Sequence, residues 1–289
     1  MKIKIFFFNL IIIILIGCSS DDHSKSYNAN TIFHDGINRE YIIYVPKSYD
    51  RTSSIPLVLN FHGFGGSASE FMNYADMRSL AESEIFILAY PQGSYLNGAS
   101  HWNACPTGNG NKSTADDFGF IESMINEISS SYNLDMKRLY AAGYSNGGMM
   151  AYGLAHYKSD LIAAVASVSG AMLDCLGPTS HPIPIIHFHG TSDGIIPYNG
   201  NLEWNSVQTT LDYWIDFNNT DTNPTFSKEI SLEMTIENYI YGQGDRSVSV
   251  EHYKYIGGDH VWFNSTFQGY STSELVWNFV SRFDINGLR

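Results

Sequence analysis

Short apolar runs alternate with segments of helical spacing along most of this chain. Helical spacing is clearest in residues 117–132, where apolar side chains recur at Phe118, Ile121, Ile125 and Ile128. Residues 206–217 and 271–283 also favour helices, and the strand-like runs are 41–45, 56–61, 85–90, 139–142, 162–168, 183–188 and 248–256. This alternation predicts an α/β fold with a mostly parallel central sheet and helices on both faces.

The chain has 289 residues, of which 44% are hydrophobic, enough for one large core. No internal repeat is visible. The most loop-like internal stretch, residues 218–225, is too short to separate two domains. We therefore expect a single domain over residues 31–289.

The amino terminus has a different pattern. A short basic region precedes the apolar residues 5–16, which are too few to span a membrane comfortably and are typical of a signal peptide. Leu15-Ile16-Gly17-Cys18 resembles the lipobox of bacterial lipoproteins. We predict a signal peptide over residues 1–17, lipidation of Cys18 and a flexible tether over 18–30. A plain secretory signal with an incidental cysteine is the alternative.

These segments predict a bacterial outer-membrane or cell-surface lipoprotein that contacts the membrane through its lipid anchor only. They do not decide whether the anchored protein faces the periplasm or the outside of the cell. The 16 basic and 29 acidic residues give a formal charge of −13. Without residues 1–17, which hold two lysines and no acid, the charge is −15. An acidic surface argues against nucleic acid and anionic headgroups as partners, and favours neutral esters or polysaccharides.

Besides Cys18, the sequence contains only Cys105 and Cys175. Disulfides persist outside the cytoplasm, so we predict a Cys105–Cys175 disulfide, with two unpaired thiols as the alternative. Neither cysteine has a C-x-x-C or Cys/His partner at ligand spacing, and no metal or cofactor is expected.

A G-x-S-x-G motif lies at residues 143–147, between an apolar run and a segment of helical spacing. In this context the motif predicts a nucleophile elbow, in which Ser145 occupies a tight strand-to-helix turn. Side chains at Gly143 and Gly147 would collide across that turn. The motif alone would also suit an ordinary glycine-rich turn.

A serine nucleophile needs a base, and the base needs an acid that orients it. In sheets of this type the order along the chain is serine, acid, histidine. Asp193 follows the strand-like run that ends at residue 188, and His260 follows the run 248–256. Ser145, Asp193 and His260 are therefore the predicted catalytic residues. His187 and His189 lie within an apparent strand and are expected to be structural or to support the catalytic residues from behind.

Two fixed N–H groups are needed where negative charge develops on a substrate carbonyl. One should come from Asn146, the residue after the serine, and the other from the glycine-rich loop 62–66, with Phe64 as the best candidate. His62 is expected to brace this loop.

Several further motifs accompany these residues in a fixed order: His62-Gly63, Tyr90-Pro91-Gln92-Gly93, Trp102-Asn103, the 116–121 segment, 143–148, 189–193 with 196–198, and 257–262. From about residue 41 to its end, the chain resembles the exported α/β-hydrolase esterases grouped with poly(3-hydroxybutyrate) depolymerases and family 1 feruloyl esterases. The resemblance implies an α/β-hydrolase fold and a serine esterase that uses the residues named above. Four aromatic residues beside strand-end motifs are candidate pocket walls, although packing roles are equally possible: Trp102, Tyr144, Tyr198 and Trp262.

The resulting expectation is a lipid-anchored extracytoplasmic serine carboxylesterase acting on feruloyl or acetyl esters of plant polysaccharide fragments. A polyester depolymerase is the alternative within the same chemistry. Two alternative functions remain: a peptidase with the same nucleophile elbow, and a non-catalytic glycan-binding lipoprotein.

Overall fold

The computed structural model describes residues 29–107, 112–175, 177–232 and 234–289. A ten-stranded sheet forms the centre, with spatial order β1-β2-β4-β3-β7-β8-β9-β12-β11-β10. Its strands are β1 Asn30–His34, β2 Ile37–Tyr44, β3 Ile55–Phe61, β4 Ile87–Pro91, β7 Leu134–Tyr144, β8 Ala164–Val168, β9 Ile185–Gly190, β10 Thr225–Ile230, β11 Thr235–Tyr241 and β12 Val250–Ile256. Two hairpins lie outside it, formed by β5 Ser94–Leu96 with β6 Ala99–His101, and by β13 Phe283–Asp284 with β14 Gly287–Leu288.

The middle of the sheet is parallel, as the sequence predicts. Strands β4, β3, β7, β8, β9 and β12 pair in parallel, and antiparallel pairs lie at both edges. Every residue of β3 and β8 is buried. Central parallel strands are covered on both faces, which is why these runs are almost wholly apolar.

In the described part of the chain, six α-helices cover the two faces of the sheet: α1 Ala68–Tyr74, α2 Arg78–Glu84, α3 Asp117–Ser131, α4 Asn146–Tyr157, α5 Val207–Phe217 and α6 Thr272–Val280. Buried side chains of α3, α4 and α5 pack with Leu57 and Leu59 of β3. Those of α1, α2 and α6 pack with Val58 of the same strand. Successive side chains of β3 therefore pack into two hydrophobic cores, one on each face of the sheet. The prediction of helices on both faces is confirmed.

Helix boundaries follow local capping chemistry. Ser206 and Ser271 are N-caps, and Ser271 forms a capping box with Glu274. Helix α6 ends at Val280, and Phe283 begins a hairpin, so the predicted helix over 271–283 is too long. Ile85 caps α2 in a left-handed conformation, which moves the start of β4 to Ile87.

Helices α1 and α2, the β5–β6 hairpin and the edge strands β10 and β11 were not predicted from the sequence. Strand β10 has no buried residue. Its side chains therefore carry no core-facing hydrophobic signal, and its backbone joins the sheet by pairing with β11.

The predicted signal peptide, the lipidation site Cys18 and nearly all of the predicted tether lie outside the described residues. Strand β1 begins at Asn30, at the end of that tether. Among the helices of the described residues, none combines the length and apolar character needed to cross a bilayer.

Candidate active site

Ser145 occupies a sharp turn between β7 and α4. Its backbone has φ 56° and ψ −120°, outside both the strand and the helix regions. A Cβ at Gly143 would lie 2.2 Å from the Gly147 carbonyl oxygen, and one at Gly147 would lie 2.1 Å from the Phe61 carbonyl oxygen. Only glycine fits at either place, so the turn presents the Ser145 hydroxyl at the start of a helix.

The structure brings Ser145, His260 and Asp193 into one hydrogen-bonded line. His260 Nε2 lies 2.9 Å from Ser145 Oγ, and His260 Nδ1 lies 2.7 Å from Asp193 Oδ2. Because the carboxylate accepts the Nδ1 proton, Nε2 is left as the acceptor of the serine hydroxyl. This order of groups is the one that activates a serine for attack on a carbonyl carbon.

Asp193 is fixed by its own loop. The backbone N–H groups of Ile195 and Ile196 donate to Oδ1 at 2.9 and 2.8 Å. Burial by itself raises the pKa of this carboxyl, but hydrogen bonds from His189, His260 and the Ile196 backbone outweigh burial and hold the pKa well below its usual range. Asp193 is therefore an anion that orients the imidazole.

Phe64 and Asn146 border the serine and offer backbone amides. Neither amide donates to another group in the part of the chain that the structure describes. The Asn146 side chain is clamped by Trp102, whose N–H donates to Oδ1 at 2.6 Å and whose carbonyl accepts from Nδ2 at 3.1 Å. Fixed donors at this point can bind an oxyanion.

The loop that carries Phe64 is braced by His62. Its Nε2 accepts from the Gly93 N–H at 2.9 Å, so its Nδ1 donates to the Gly63 carbonyl at 2.7 Å. Burial lowers the pKa of His62, which favours this neutral form. Both ring nitrogens are occupied in bracing the loop.

A buried ion pair supports the Trp102 segment. Arg39 Nη2 lies 2.6 Å from Asp117 Oδ1, and Asp117 Oδ2 accepts from the Asn103 N–H at 2.6 Å. Asp117 thus acts at a distance from the serine as a structural anchor.

A cavity of about 370 Å³ opens beside Ser145. Trp102 contributes to its wall, as the sequence predicts, together with Phe64, Leu96, His101, Ala104, Lys112, Asn146, Met149, Leu173, Ile195, Ile196 and Trp204. Lys112 is the only residue of this set whose side chain carries a permanent charge. The wall is otherwise mainly apolar and aromatic.

The other three aromatic candidates lie elsewhere. Tyr144 borders a smaller neighbouring cavity and donates to the His260 carbonyl at 2.8 Å. Tyr198 is bonded to His252 at 2.8 Å, and buried Trp262 packs edge-on against Phe71. Neither Tyr198 nor Trp262 is among the residues that line the cavity beside Ser145, and their predicted place in the pocket wall stays a prediction.

Sequence reasoning missed most of the cavity wall. Ile195 and Ile196 lie two and three residues after Asp193, so their position beside a motif could have indicated them. Leu96 and Trp204 come from a hairpin and a loop that carry no motif.

The predicted disulfide is present. Cys105 and Cys175 are bonded, with Cα atoms 5.8 Å apart. Their near neighbours Ala104 and Leu173 both line the cavity. The cross-link therefore joins two segments of the cavity wall. Over the described ranges, no group of three or more His, Cys, Asp or Glu side chains is placed to hold a metal ion.

Comparison with known proteins adds to this geometry. A bifunctional acetylxylan esterase/xylanase, XynS20E, from Neocallimastix patriciarum is 28% identical over 252 residues, which are 87% of this chain and 34% of that protein. Feruloyl esterase B from Piromyces equi is 32% identical over 171 residues, 57% of this chain and 31% of that protein. The chain thus spans about a third of the length of these two relatives.

The acetyl xylan esterase from Aspergillus awamori, a solved structure, superposes with a TM-score of 0.63 at 21% identity, covering 89% of this chain and 99% of that one. At this identity the match shows a shared fold, the α/β-hydrolase fold. Residues 39–194, more than half of the chain, match the family model described as esterase PHB depolymerase. The chain belongs to the esterase PHB depolymerase family, as its ordered motifs predict.

Proposed function

We propose that this protein is a serine carboxylesterase whose catalytic residues are Ser145, His260 and Asp193. The observation that carries the proposal is the continuous line of hydrogen bonds from Asp193 through His260 to the Ser145 hydroxyl. This hydroxyl opens onto an apolar cavity that Phe64 and Asn146 also line, and the backbone amides of these two residues have no acceptor among the described residues.

In the first half of the reaction, Ser145 Oγ attacks the ester carbonyl carbon as its proton passes to His260 Nε2. The amides of Phe64 and Asn146 hold the negative oxygen. His260 then gives the proton to the leaving alkoxide, and an alcohol departs. In the second half, water attacks the acyl-serine and gives a proton to His260, which returns it to Oγ as the carboxylic acid leaves. Asp193 stays ionised throughout.

The cavity favours a bulky, flat acyl group over a small one. A volume of about 370 Å³ is that of a pocket for a small organic molecule and far exceeds the needs of an acetyl group. Rings of Phe64, Trp102 and Trp204 border it. We therefore place a feruloyl-type aromatic acyl group here, and the names of Feruloyl esterase B and the acetylxylan esterase/xylanase support an ester carried on plant polysaccharide.

A second cavity fits the carbohydrate side of such an ester. It has a volume of about 510 Å³ and is lined mainly by hydrogen-bonding residues, among them Asn38, Glu40 and Gln92. Tyr95, 72% exposed, adds an aromatic ring. The β5–β6 hairpin separates the two cavities, with Leu96 facing the first and Tyr95 the second. Amide, carboxylate and aromatic groups together suit sugar hydroxyls and ring faces.

The test is hydrolysis of a panel by the chain that starts after Cys18, with Ser145→Ala alongside. The panel contains p-nitrophenyl acetate and butyrate, methyl ferulate, a feruloylated xylo-oligosaccharide, an acetylated xylo-oligosaccharide and a 3-hydroxybutyrate trimer. We expect Ser145-dependent turnover with the highest kcat/KM on the feruloylated oligosaccharide. A preference for the trimer would make the protein a polyester depolymerase. No turnover and no labelling of Ser145 by a fluorophosphonate would leave the glycan-binding alternative.

Tyr95→Ala tests the carbohydrate side separately. It should raise KM for the feruloylated oligosaccharide several-fold and leave methyl ferulate unchanged, because only the first substrate reaches the second cavity. Tyr270→Ala is the matched control, since Tyr270 is also exposed but lies outside both cavities. Equal effects on both substrates would contradict this assignment.

We further propose that the protein is anchored outside the cytoplasm by a lipid on Cys18. The lipobox-like Leu15-Ile16-Gly17-Cys18 supports this, and the Cys105–Cys175 disulfide suits an oxidising compartment. Metabolic labelling with an alkyne fatty acid should mark the parent and not Cys18→Ala. Equal labelling of both, or of neither, would remove the proposal.

A further inference from the structure

Asp193 is approached by a second imidazole besides His260. His189 Nε2 lies 3.2 Å from Oδ2, the same carboxylate oxygen that accepts from His260. It also lies 2.8 Å from the Ile196 carbonyl oxygen. A carbonyl can only accept, so Nε2 carries a proton, which lies between the two oxygen atoms. His189 therefore holds both the start and the end of the Asp193–Ile196 turn.

Two more buried side chains, those of His187 and Tyr152, fix the proton of His189 on Nε2. When His189 is neutral, its Nδ1 is an acceptor, so His187 Nε2, 3.1 Å away, must donate to it. His187 Nδ1 is then an acceptor, and the Tyr152 hydroxyl donates to it at 2.8 Å. Tyr152, His187 and His189 thus form a row of hydrogen-bonded side chains in which every donor points toward Asp193.

The row is sealed from solvent. Tyr152, His187 and His189 are each 1% exposed. Burial lowers the pKa of His187 and raises that of Tyr152, which favours the neutral form of both. The titratable groups around His187 and His189 come from four elements. Helix α4 supplies Tyr152, and β9, β12 and the loop after β9 supply the others: His187, His252, Lys254, Asp193 and Tyr198.

We propose that His189 is a positioning residue for the triad, held in one tautomer by His187 and Tyr152, and that its Nε2 proton sets the basicity of His260 through Asp193. Only the kinetic test of this proposal, the pH dependence of kcat/KM, depends on the esterase function proposed above. Without this donor, Oδ2 carries more of the carboxylate charge and binds the protonated imidazole of His260 more strongly. The Asp193–Ile196 turn also loses a tie.

The consequence has a definite sign. A stabilised imidazolium gives up its proton at higher pH, so loss of the donor moves the acid limb of kcat/KM upward. Because the His189 proton is shared with the Ile196 carbonyl, the expected displacement is about 0.5–1 pH unit, less than one unshared hydrogen bond to a charged group would give.

Three variants test the proposal. His189→Leu removes the donor, whereas His189→Gln keeps an N–H near the place of Nε2. His156→Leu is the matched control: it also removes an imidazole that is buried, and this imidazole is outside the row. The acid limb should move upward in His189→Leu, stay near the parent value in His189→Gln, and stay unchanged in His156→Leu.

A second measurement does not need turnover. In a Ser145→Ala background, proton NMR follows the titration of the His260 ring with and without His189→Leu, and the same upward displacement is expected. Equal displacement by the leucine and glutamine variants, or by His156→Leu, would overturn the proposal, as would an unchanged titration. If the protein proves not to be an esterase, the NMR result still decides the role of His189.

Discussion

Ser145 has a backbone conformation that few residues adopt, and its surroundings explain why it persists. Its amide donates to the Val168 carbonyl at 2.9 Å, and its carbonyl accepts from Met149 at 3.0 Å, so the turn is tied to both β8 and α4. Local strain at a reactive residue needs this kind of external support. The hydroxyl is thereby held in line with His260 before any substrate arrives.

Replacement of the nucleophile gives the most direct test at this level. Ser145→Ala should lower kcat by several orders of magnitude, and adding His260→Ala should lower it little further, because triad members act as a unit. Single-turnover kinetics on an activated ester measures both. A double variant much slower than either single variant would contradict the pairing of the two residues. Unchanged urea midpoints would show that the fold is intact.

The elbow depends on the close approach of two elements, β3 and α4. A Cβ at Gly147 would meet the Phe61 carbonyl oxygen at 2.1 Å, and this oxygen is on the backbone of a central strand. Neither partner can move without disturbing the sheet. The glycine is therefore required by packing between elements, not by its own φ.

Gly147→Ala should destabilise the fold by about 2 kcal/mol or more, as overpacking against a rigid backbone does, and should abolish turnover by displacing Ser145. Gly242→Ala is the matched control because nothing lies within 4 Å of the added Cβ. Urea unfolding of the two variants measures the difference. Equal midpoints would show that β3 and α4 separate more easily than the structure indicates.

A single cross-link spans the molecule from the loop after β6 to the loop after β8. The Cys105–Cys175 disulfide closes a 70-residue separation that contains α3, β7, α4 and β8. Reduction should lower the free energy of unfolding by roughly 2–4 kcal/mol. Chemical denaturation with and without reductant measures this loss, and Cys105→Ala/Cys175→Ala should show it without reductant. An unchanged midpoint in reductant would contradict the prediction.

Buried neutral histidines make the whole molecule sensitive to acid. Burial lowers the pKa of His156 to about 4 and that of His252 to about 3. In the unfolded chain both groups bind protons below pH about 6.5. The unfolded state thus binds more protons than the folded state between these values, so stability rises with pH and is lost as pH falls below 6.5.

From pH 6.5 to 5, each of these two histidines should remove about 2 kcal/mol of stability. Urea midpoints at pH 7, 6 and 5 measure the slope, and His156→Leu should reduce it by about 1.4 kcal/mol per pH unit. A slope that is the same in parent and variant would show that His156 is charged in the folded protein.

The motifs located the triad residues at strand ends because the order of parallel strands brings such loops to one edge of the sheet. The same logic placed Phe64 and Asn146 beside Ser145. It does not give the side-chain directions of Tyr198 and Trp262, because the direction of a side chain beside a motif depends on what it packs against. Tyr198 forms a hydrogen bond with His252, and Trp262 packs against Phe71; both partners are remote in sequence.

The sequence by itself determined the family, the parallel core of the sheet, the residues that line up as Ser145, His260 and Asp193, and the pairing of Cys105 with Cys175. The parallel core and the strand-end positions of these residues follow from periodicity and local turn chemistry, which neighbouring residues carry. The family follows from the order of its motifs, and the disulfide from the presence of only two cysteines besides Cys18. Only the tertiary structure decided the shape of the two cavities and the row of Tyr152, His187 and His189 behind Asp193. Those features are formed by side chains from separate elements, whose distances are set by how the elements pack.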